Sequence, residues 1–208
     1  MINKDIFNLQ ISQNLPLVGQ FQFPKINPSN SIPKNLLSFN YAISCENKSD
    51  YFVHFYLDDY QFERVWKKPK KYAIILSKFQ GILAPDFSTY TNMPKALQIY
   101  QIYKSRLLCS YWQSLGIDVI PNISWSDYDS LEWTLEGIPK NSVVALSTNG
   151  VLNKKTKDSF IQCYKKAIDI IKPIKVIIVG EVPKEIQSDL IINFPNRINH
   201  LRNLKKKE

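Results

Sequence analysis

Five apolar, strand-like runs of this chain each end in a short polar cluster, and this repeat restricts the possible folds more than any other feature. The clusters lie around positions 58, 86, 122, 148 and 181, at intervals of 26 to 36 residues. That interval leaves room for a crossover helix after each strand and a return to a parallel neighbour. The clusters are Leu57–Asp59, Ala84–Ser88, Pro121–Trp125, Ser147–Gly150 and Gly180–Pro183. The pattern predicts an α/β fold whose strands end at one common face.

Predicted strands and helices alternate from residue 51 onward. The predicted strands are Tyr51–Leu57, Gly81–Ala84, Ile117–Ile120, Val143–Leu146 and Val176–Val179, with Leu190–Phe194 as a candidate sixth. The predicted helices are Tyr60–Lys67, Lys95–Leu115 and Lys155–Ile171. We therefore expect a mainly parallel sheet of about five or six strands with crossover helices, either open and doubly wound or a partial barrel. A full eight-stranded barrel needs more chain than this.

The first 50 residues have a different pattern, because prolines interrupt every candidate helix or strand there. These interruptions are Pro16, Pro24, Pro28 and Pro33. We expect residues 1–50 to form an irregular N-terminal arm packed on the core. Residues 51–200 then form a single α/β domain, and residues 201–208 form a basic tail.

Composition fits a globular protein without a membrane partner. The hydrophobic content is 44% over 208 residues, which is enough for a core. No run approaches the roughly 18 apolar residues of a membrane span, and the first residues lack a signal peptide's apolar core. A cytoplasmic protein is the expectation. Cys45, Cys109 and Cys163 are far apart, so neither a disulfide framework nor a cysteine zinc site is predicted.

The net charge of +9, with an isoelectric point near 9.3, favours a nucleic acid or a nucleotide as partner. Two local clusters strengthen this interpretation: Lys67–Lys71, which is interrupted by Pro69, and the tail Arg202–Lys207. The alternative is that lysines are simply scattered over the surface in a chain rich in Lys, Asn and Ile. The sequence leaves the oligomeric state open.

Four segments resemble the family known as domain of unknown function 4417. They occur in the family's order and are Tyr56–Trp66, Ala84–Tyr90, Val119–Trp125 and Ser147–Gly150. The resemblance covers about residues 33 to 195 and implies a phage or mobile-element context. It implies no activity, and no catalytic residue is carried over from it.

Three strand-end carboxylates are the candidate catalytic residues: Asp86, Glu181 and Asp59. Two carboxylates suit cleavage of an N-glycosidic or glycosidic bond. One stabilises the oxocarbenium-like centre, and the other positions water or protonates the leaving group. Asp86 is the strongest candidate because no helix begins directly after it, so helix capping does not explain it. Glu181 or Asp59 would be its acid/base partner. Asp58 and Asp59, alternatively, cap the following helix.

Substrate-binding candidates surround these carboxylates. Amides could orient a base or a sugar, aromatic rings could stack on them, and a small polar loop could cradle an anion. These candidates are Asn122, Trp125, Ser147, Thr148, Asn149 and Tyr90, with Arg64 as a phosphate ligand or as an ion-pair partner of Glu181. Asn122 could instead form an Asx turn.

We therefore expect an enzyme that hydrolyses an N-glycosidic bond in nucleic acid or a nucleotide, resembling a DNA glycosylase, without a cofactor. One alternative is a magnesium-dependent nuclease whose ligands are Asp58, Asp59, Asp86 and Glu181. Another is a non-catalytic protein that binds DNA or a host protein. Zinc is disfavoured because His54, inside a predicted strand, is expected to be a packed residue. Phosphate-binding glycine motifs and the serine nucleophile elbow do not occur.

Overall fold

The computed structural model describes residues 5–153 and 155–195, within which lie nine strands and six α-helices. The strands are β1 (Leu17–Val18), β2 (Phe23–Pro24), β3 (Leu36–Ser38), β4 (Phe52–His54), β5 (Gly81–Leu83), β6 (Val119–Ile120), β7 (Val143–Ser147), β8 (Lys175–Val179) and β9 (Ile191–Phe194). The helices are α1 (Leu9–Ser12), α2 (Asp59–Lys67), α3 (Pro69–Leu76), α4 (Lys95–Ser114), α5 (Leu131–Thr134) and α6 (Lys157–Ile171). None of the helices in these ranges has both the length and the apolar character of a membrane span.

The strands from β3 to β9 are all parallel and follow one another in chain order. β3 to β6 form one sheet and β7 to β9 form another. A bridge between Asn122 and Ala145 joins the two sheets, because the Ile123 N–H donates to the Ala145 carbonyl at 2.9 Å and the Ala145 N–H donates to the Pro121 carbonyl at 2.8 Å. The predicted α/β class with a mainly parallel sheet is confirmed. β1 and β2 form a separate antiparallel pair.

The two faces of the strands pack differently. Outward-facing residues such as Val53, Ile82 and Val144 belong to a large cluster that includes the helices. Inward-facing residues form a second cluster, to which no residue of a described α-helix contributes. Its buried members are Phe52, Tyr56, Leu83, Ile120, Val143, Ala145, Ile177 and Val179.

This one-sided packing identifies the arrangement as a partial barrel. Right-handed crossovers between consecutive parallel strands place every helix on the same face of the sheet. The opposite face is then buried only if the sheet curves and its side chains pack against one another. A doubly wound sheet would need a reversal of strand order, which β3 to β9 do not have.

The first 50 residues contain short strands and helices, although their prolines argued against regular secondary structure in the sequence. Leu36–Ser38 pairs in parallel with β4 and forms the edge of the sheet, although no strand was predicted there. Phe23, Ile26 and Phe39 are fully buried, so this part of the chain packs on the core. A strand of three residues is too short to show a period, and its pairing comes from the neighbouring strand.

Helix α4 begins at Lys95 and ends at Ser114, within one residue of the prediction. Trp112 near its end is fully buried, and its indole N–H donates to the Pro69 carbonyl at 3.2 Å. That bond ties α4 to the start of α3, a helix that the sequence analysis did not predict. Pro69 occupies the first turn of α3, where proline is favoured.

We expect Ile177→Ala to lower the free energy of unfolding by about 2–5 kcal/mol, because it removes buried methyl groups from the inner cluster. Ile177 is fully buried in β8, between β7 and β9. Ile174→Ala is the matched control, since Ile174 is exposed and its loss is expected to stay within about 0.5 kcal/mol. Urea unfolding of both variants measures the difference. Equal, small losses would mean that the inner face is not a packed core.

Candidate functional site

A cleft of about 480 Å³ opens where the segments after β4, β5, β6 and β7 meet. This volume falls within the range of roughly 300–1,000 Å³ of small-molecule sites. The cleft is lined by Tyr56, Leu57, Asp58, Gln61, Asp86, Ser88, Thr89, Tyr90, Ile123, Ser124, Trp125, Leu146, Ser147, Asn149, Val151 and Phe160. Four of the five polar clusters noted in the sequence therefore lie together, because parallel strands end at the same edge of a sheet.

Asp86 is the carboxylate built most firmly into this cleft. The Asn122 Nδ2 donates to its Oδ1 at 2.7 Å. The hydroxyl of Tyr56 donates in turn to the Asn122 Oδ1 at 2.9 Å. Asn122 is buried, with 2% of its surface exposed, so the three side chains form a hydrogen-bonded chain that leads from the inner cluster to the cleft.

The environment of Asp86 brings its pKa close to neutrality. Burial raises the pKa of Asp86 from 3.8 to about 7; the bond from Asn122 acts in the opposite direction, and the nearby charge of Asp59 adds to the rise. Burial, and then the charge of Asp86, raise the pKa of Tyr56 as well. Tyr56 therefore stays protonated at neutral pH and keeps donating to Asn122.

Tyr56 also fixes which way the Asn122 amide points. A phenol that donates to the amide oxygen leaves the amide nitrogen facing Asp86, where it stabilises the ionised carboxylate. The ring of His54 stacks on Tyr56 at 5.7 Å, and burial lowers the pKa of His54 to about 4. His54 is a neutral packing residue at physiological pH, as the sequence analysis expected.

Asp59 has a structural position rather than a place in the cleft lining. It accepts from the backbone N–H of Ser88 at 3.1 Å, from the Ser88 hydroxyl at 2.8 Å and from the Gln101 Nε2 at 3.0 Å. These bonds connect the start of α2 to the loop after β5 and to α4. The start of α2 has no side-chain cap, so the capping alternative for Asp58 and Asp59 is not found. Asp59 is linked to the site through its bonds to Ser88, which lines the cleft, and through its charge, which raises the pKa of Asp86.

Glu181 and Arg64 do not lie where the sequence analysis expected them. Glu181 is exposed after β8 and is not among the described residues that line the cleft, whereas Asp86 is. The guanidinium of Arg64 lies 4.7 Å from the centre of the Phe39 ring, outside the cleft lining. The guanidinium face of Arg64 packs on the Phe39 ring, and the ion pairs found among the described residues do not include one between Arg64 and Glu181.

Trp125 and Tyr90, the two aromatic residues proposed from the sequence, are among the residues that line the cleft. Trp125 is half-buried and packs against Phe160 of α6, with 5.6 Å between ring centres. Tyr90 is 60% exposed, and its hydroxyl donates to the Ser88 hydroxyl at 3.1 Å. Trp125 is thus a fixed wall, and Tyr90 lies at the rim.

The loop after β7 is only partly available to a ligand. Ser147 and Asn149 line the cleft, whereas Thr148 is buried beside Gly180 and does not. The Asn149 N–H donates to the Ser147 hydroxyl, and the Thr148 N–H donates to the Val179 carbonyl. These two backbone donors are therefore used within the protein, which weakens the predicted anion cradle.

Helix α4 holds the loops around the cleft through buried polar side chains. The Gln98 amide nitrogen donates to the carbonyls of Tyr90 at 3.1 Å and Met93 at 2.8 Å, while its oxygen accepts from the Ser126 hydroxyl at 2.6 Å. The Ser105 hydroxyl donates to the Pro85 carbonyl at 2.7 Å. The backbone on both sides of Asp86 is thereby fixed to one helix.

Several lining residues had not been identified from the sequence. Tyr56 has the only available signal, since it lies at an inward-facing position two residues after β4. Gln61 lies in a helix and Ser88 in a loop. In the sequence, neither can be told apart from other polar residues. Phe160 comes from α6 and reaches the cleft only through tertiary packing, for which the local sequence holds no signal.

The ligand set of the nuclease alternative is not assembled. No group of three His, Cys, Asp or Glu side chains that could hold a metal ion occurs in residues 5–153 and 155–195. Of the four proposed ligands, Asp59 accepts hydrogen bonds from Ser88 and Gln101, and Glu181 is not among the residues that line the cleft.

The cluster Lys67–Lys71 lies away from the cleft. Helix α2 starts shortly after the carboxyl end of β4 and is nine residues long with Lys67 as its last residue, so these lysines are at its far end. The other predicted cluster, Arg202–Lys207, is outside the described residues. The net charge of the chain is therefore not concentrated on the described lining of the cleft.

Comparisons with known proteins place this chain among phage proteins. The sequence model of DUF4417, a domain of unknown function, matches residues 15–195. The "Gene 1 protein" of Mycobacterium phage L5 is 33% identical over 185 residues, which cover 86% of this chain and 78% of the relative. The "Gene 1 protein" of Mycobacterium phage D29 is 32% identical over 160 residues, which cover 76% of this chain and 58% of that relative. No solved structure matches the chain with significance.

Asp59→Ala is expected to lower the free energy of unfolding by about 1–3 kcal/mol, because it leaves the Ser88 N–H without its acceptor. The control is Asp58→Ala at the preceding, exposed position, with an expected change within about 0.5 kcal/mol. Urea unfolding of the two variants tests this. A loss for Asp59→Ala as small as that of the control would contradict the structural role.

Asp86→Asn is expected to stabilise the protein more at pH 8 than at pH 4. The folded-state pKa of about 7 lies above the ordinary 3.8, so the wild type loses stability as pH rises between these values. The variant carries no such charge, and its advantage should grow by roughly 1–3 kcal/mol over that range. Unfolding curves at both pH values measure it. An advantage that does not change with pH would contradict the raised pKa.

Proposed function

The chain belongs to the DUF4417 family, and we propose that it hydrolyses the N-glycosidic bond of a nucleoside unit, with Asp86 as the acid/base residue. The observation that carries this proposal is the Tyr56–Asn122–Asp86 chain, which ends in a cleft of substrate size. A carboxyl group whose pKa is near the working pH is suited to proton transfer in either direction.

The geometry at Asp86 supports this role. Asn122 occupies the Oδ1 of Asp86, and no hydrogen bond within the described residues engages Oδ2. Oδ2 is then available to a water molecule or to the leaving base. In its ionised form Asp86 removes a proton from the attacking water, and in its protonated form it donates one to the departing base.

Asp58 supplies a second carboxylate to the same cleft. It is exposed, it lines the cleft, and it accepts from the Gln61 Nε2 at 3.3 Å. A negative charge at this wall favours the positive charge that develops on the sugar during cleavage. In this proposal Asp58 stabilises the developing charge, and Asp86 has the acid/base role that the sequence analysis gave to Glu181 or Asp59.

The aromatic walls fit a base better than they fit an aliphatic ligand. Trp125, held by Phe160, offers a fixed face for stacking, and Tyr90 lies at the rim. Stacking of a base on an aromatic side chain contributes about 1–3 kcal/mol. The base would thereby be held while its bond to the sugar is near the carboxylates.

The test is an assay of base release with purified wild-type protein, on nucleosides, nucleotides and single- and double-stranded oligonucleotides of DNA and RNA. Mass spectrometry detects the free base. We expect Asp86→Asn to lower kcat/KM by about 100-fold or more. The pH profile of kcat/KM in the wild type should change near pH 7, as the pKa of Asp86 predicts.

Glu181→Gln is the matched control, because it also neutralises a strand-end carboxylate but lies outside the cleft. Its kcat/KM is expected to stay within about twofold of the wild type. Magnesium-dependent strand cleavage would favour the nuclease instead. Absence of any product, with ligand binding unchanged in Asp86→Asn, would overturn catalysis and favour a non-catalytic DNA-binding or host-interaction protein.

A further inference from the structure

The cleft is short of positive charge, although the whole chain carries a net charge of +9. Among the described residues that line it, none is lysine, arginine or histidine. The residues that carry charge there are Asp58 and Asp86, and the rest of the polar lining consists of hydroxyl and amide groups. A ligand with a negative group would therefore meet two carboxylates and no described cation.

The two buried cationic side chains of α4 make contacts outside the cleft. The Lys104 ammonium is 3.3 Å from a carboxylate oxygen of Glu63 and 3.9 Å from the centre of the Phe87 ring. Arg106 donates to the carbonyls of Thr134 at 2.6 Å and Glu136 at 3.2 Å. Neither lines the cleft, so neither could hold a phosphate there without breaking these contacts.

Three backbone donors at or next to the cleft are already used within the protein. Phosphate sites without lysine or arginine rely on backbone N–H groups, often at a helix N-terminus. In this cleft the Ser88 N–H donates to Asp59, and the Asn149 N–H donates to Ser147. The Thr148 N–H next to them donates to Val179.

From this charge pattern we propose that the cleft takes a neutral nucleoside and discriminates against the same nucleoside with a 5′-phosphate. The inference rests on the proposed function, because it specifies the form of the substrate at that site. Aromatic walls and neutral hydrogen-bonding groups bind the base and sugar. Asp58 and Asp86 repel a phosphate, which is a dianion at pH 8.

The test measures binding separately from turnover, with wild-type protein and calorimetric titration. The probes are a carbocyclic nucleoside, whose ring oxygen is replaced by a methylene so that the bond to the base resists hydrolysis, and its 5′-monophosphate. At low salt we expect the nucleoside to bind at least about 10-fold more tightly. The preference should decrease as salt screens the carboxylates.

A cation introduced at the rim should reduce or abolish this preference. Thr89→Lys places a cation in the lining, and we expect it to tighten binding of the monophosphate relative to the nucleoside by about 10-fold. Ile74→Lys adds the same charge at an exposed position outside the cleft and is expected to leave the preference unchanged.

Equal or tighter binding of the monophosphate by the wild type would overturn the inference, and so would the absence of saturable nucleoside binding at millimolar concentration. Failure of the proposed function looks different. Selective binding of the nucleoside without base release from any substrate would support this inference and refute catalysis. Equally efficient base release from nucleosides and monophosphates would support catalysis and refute the inference.

Discussion

Asn122 is the residue on which the sheet and the site both depend. It pairs with Ala145 in the bridge between the two sheets, whose hydrogen bonds are made by its neighbours Pro121 and Ile123. Its side chain accepts from Tyr56 and donates to Asp86. The position at which the two sheets join thus also orients the carboxylate.

The consecutive strand order explains why the cleft lies where it does. Helices on one face leave the other face to curve and bury its own side chains, including Phe52 and Ile177. Tyr56 follows β4 and is the polar member of this cluster that also lines the cleft, so the apolar interior ends at the start of the site. The cleft is therefore at the carboxyl end of the strands, directly beyond the packed apolar interior.

Much of the fold could be predicted because one unit, an apolar strand followed by a polar cluster, repeats along the chain. Each long parallel strand, such as Val143–Ser147, is an apolar run followed by a polar cluster, and that pattern survives in the sequence. The short strand Leu36–Ser38 could not be predicted, since its pairing with β4 is a property of the neighbour. Helix α3 begins in the lysine-rich segment and has only a weak apolar pattern, so the sequence analysis did not predict a helix there.

The site was predictable where it depends on strand ends and not where it depends on side-chain direction. Asp86, Trp125 and Ser147 lie in the cleft because β5, β6 and β7 end there. Glu181 follows β8 in the same way but is exposed, and nothing in the local sequence distinguishes it from Asp86. The difference arises from tertiary contacts.

The bonds from Gln98 have a consequence for how such a sequence can vary. One buried amide group binds the carbonyls of Tyr90 and Met93 and the hydroxyl of Ser126, so two separate loops share a single anchor. Surface loops usually tolerate insertions and deletions. Here a change of length in either loop would displace the anchor of the other. We expect divergence in this family to spare the lengths of these two segments and to accumulate in loops that α4 does not hold.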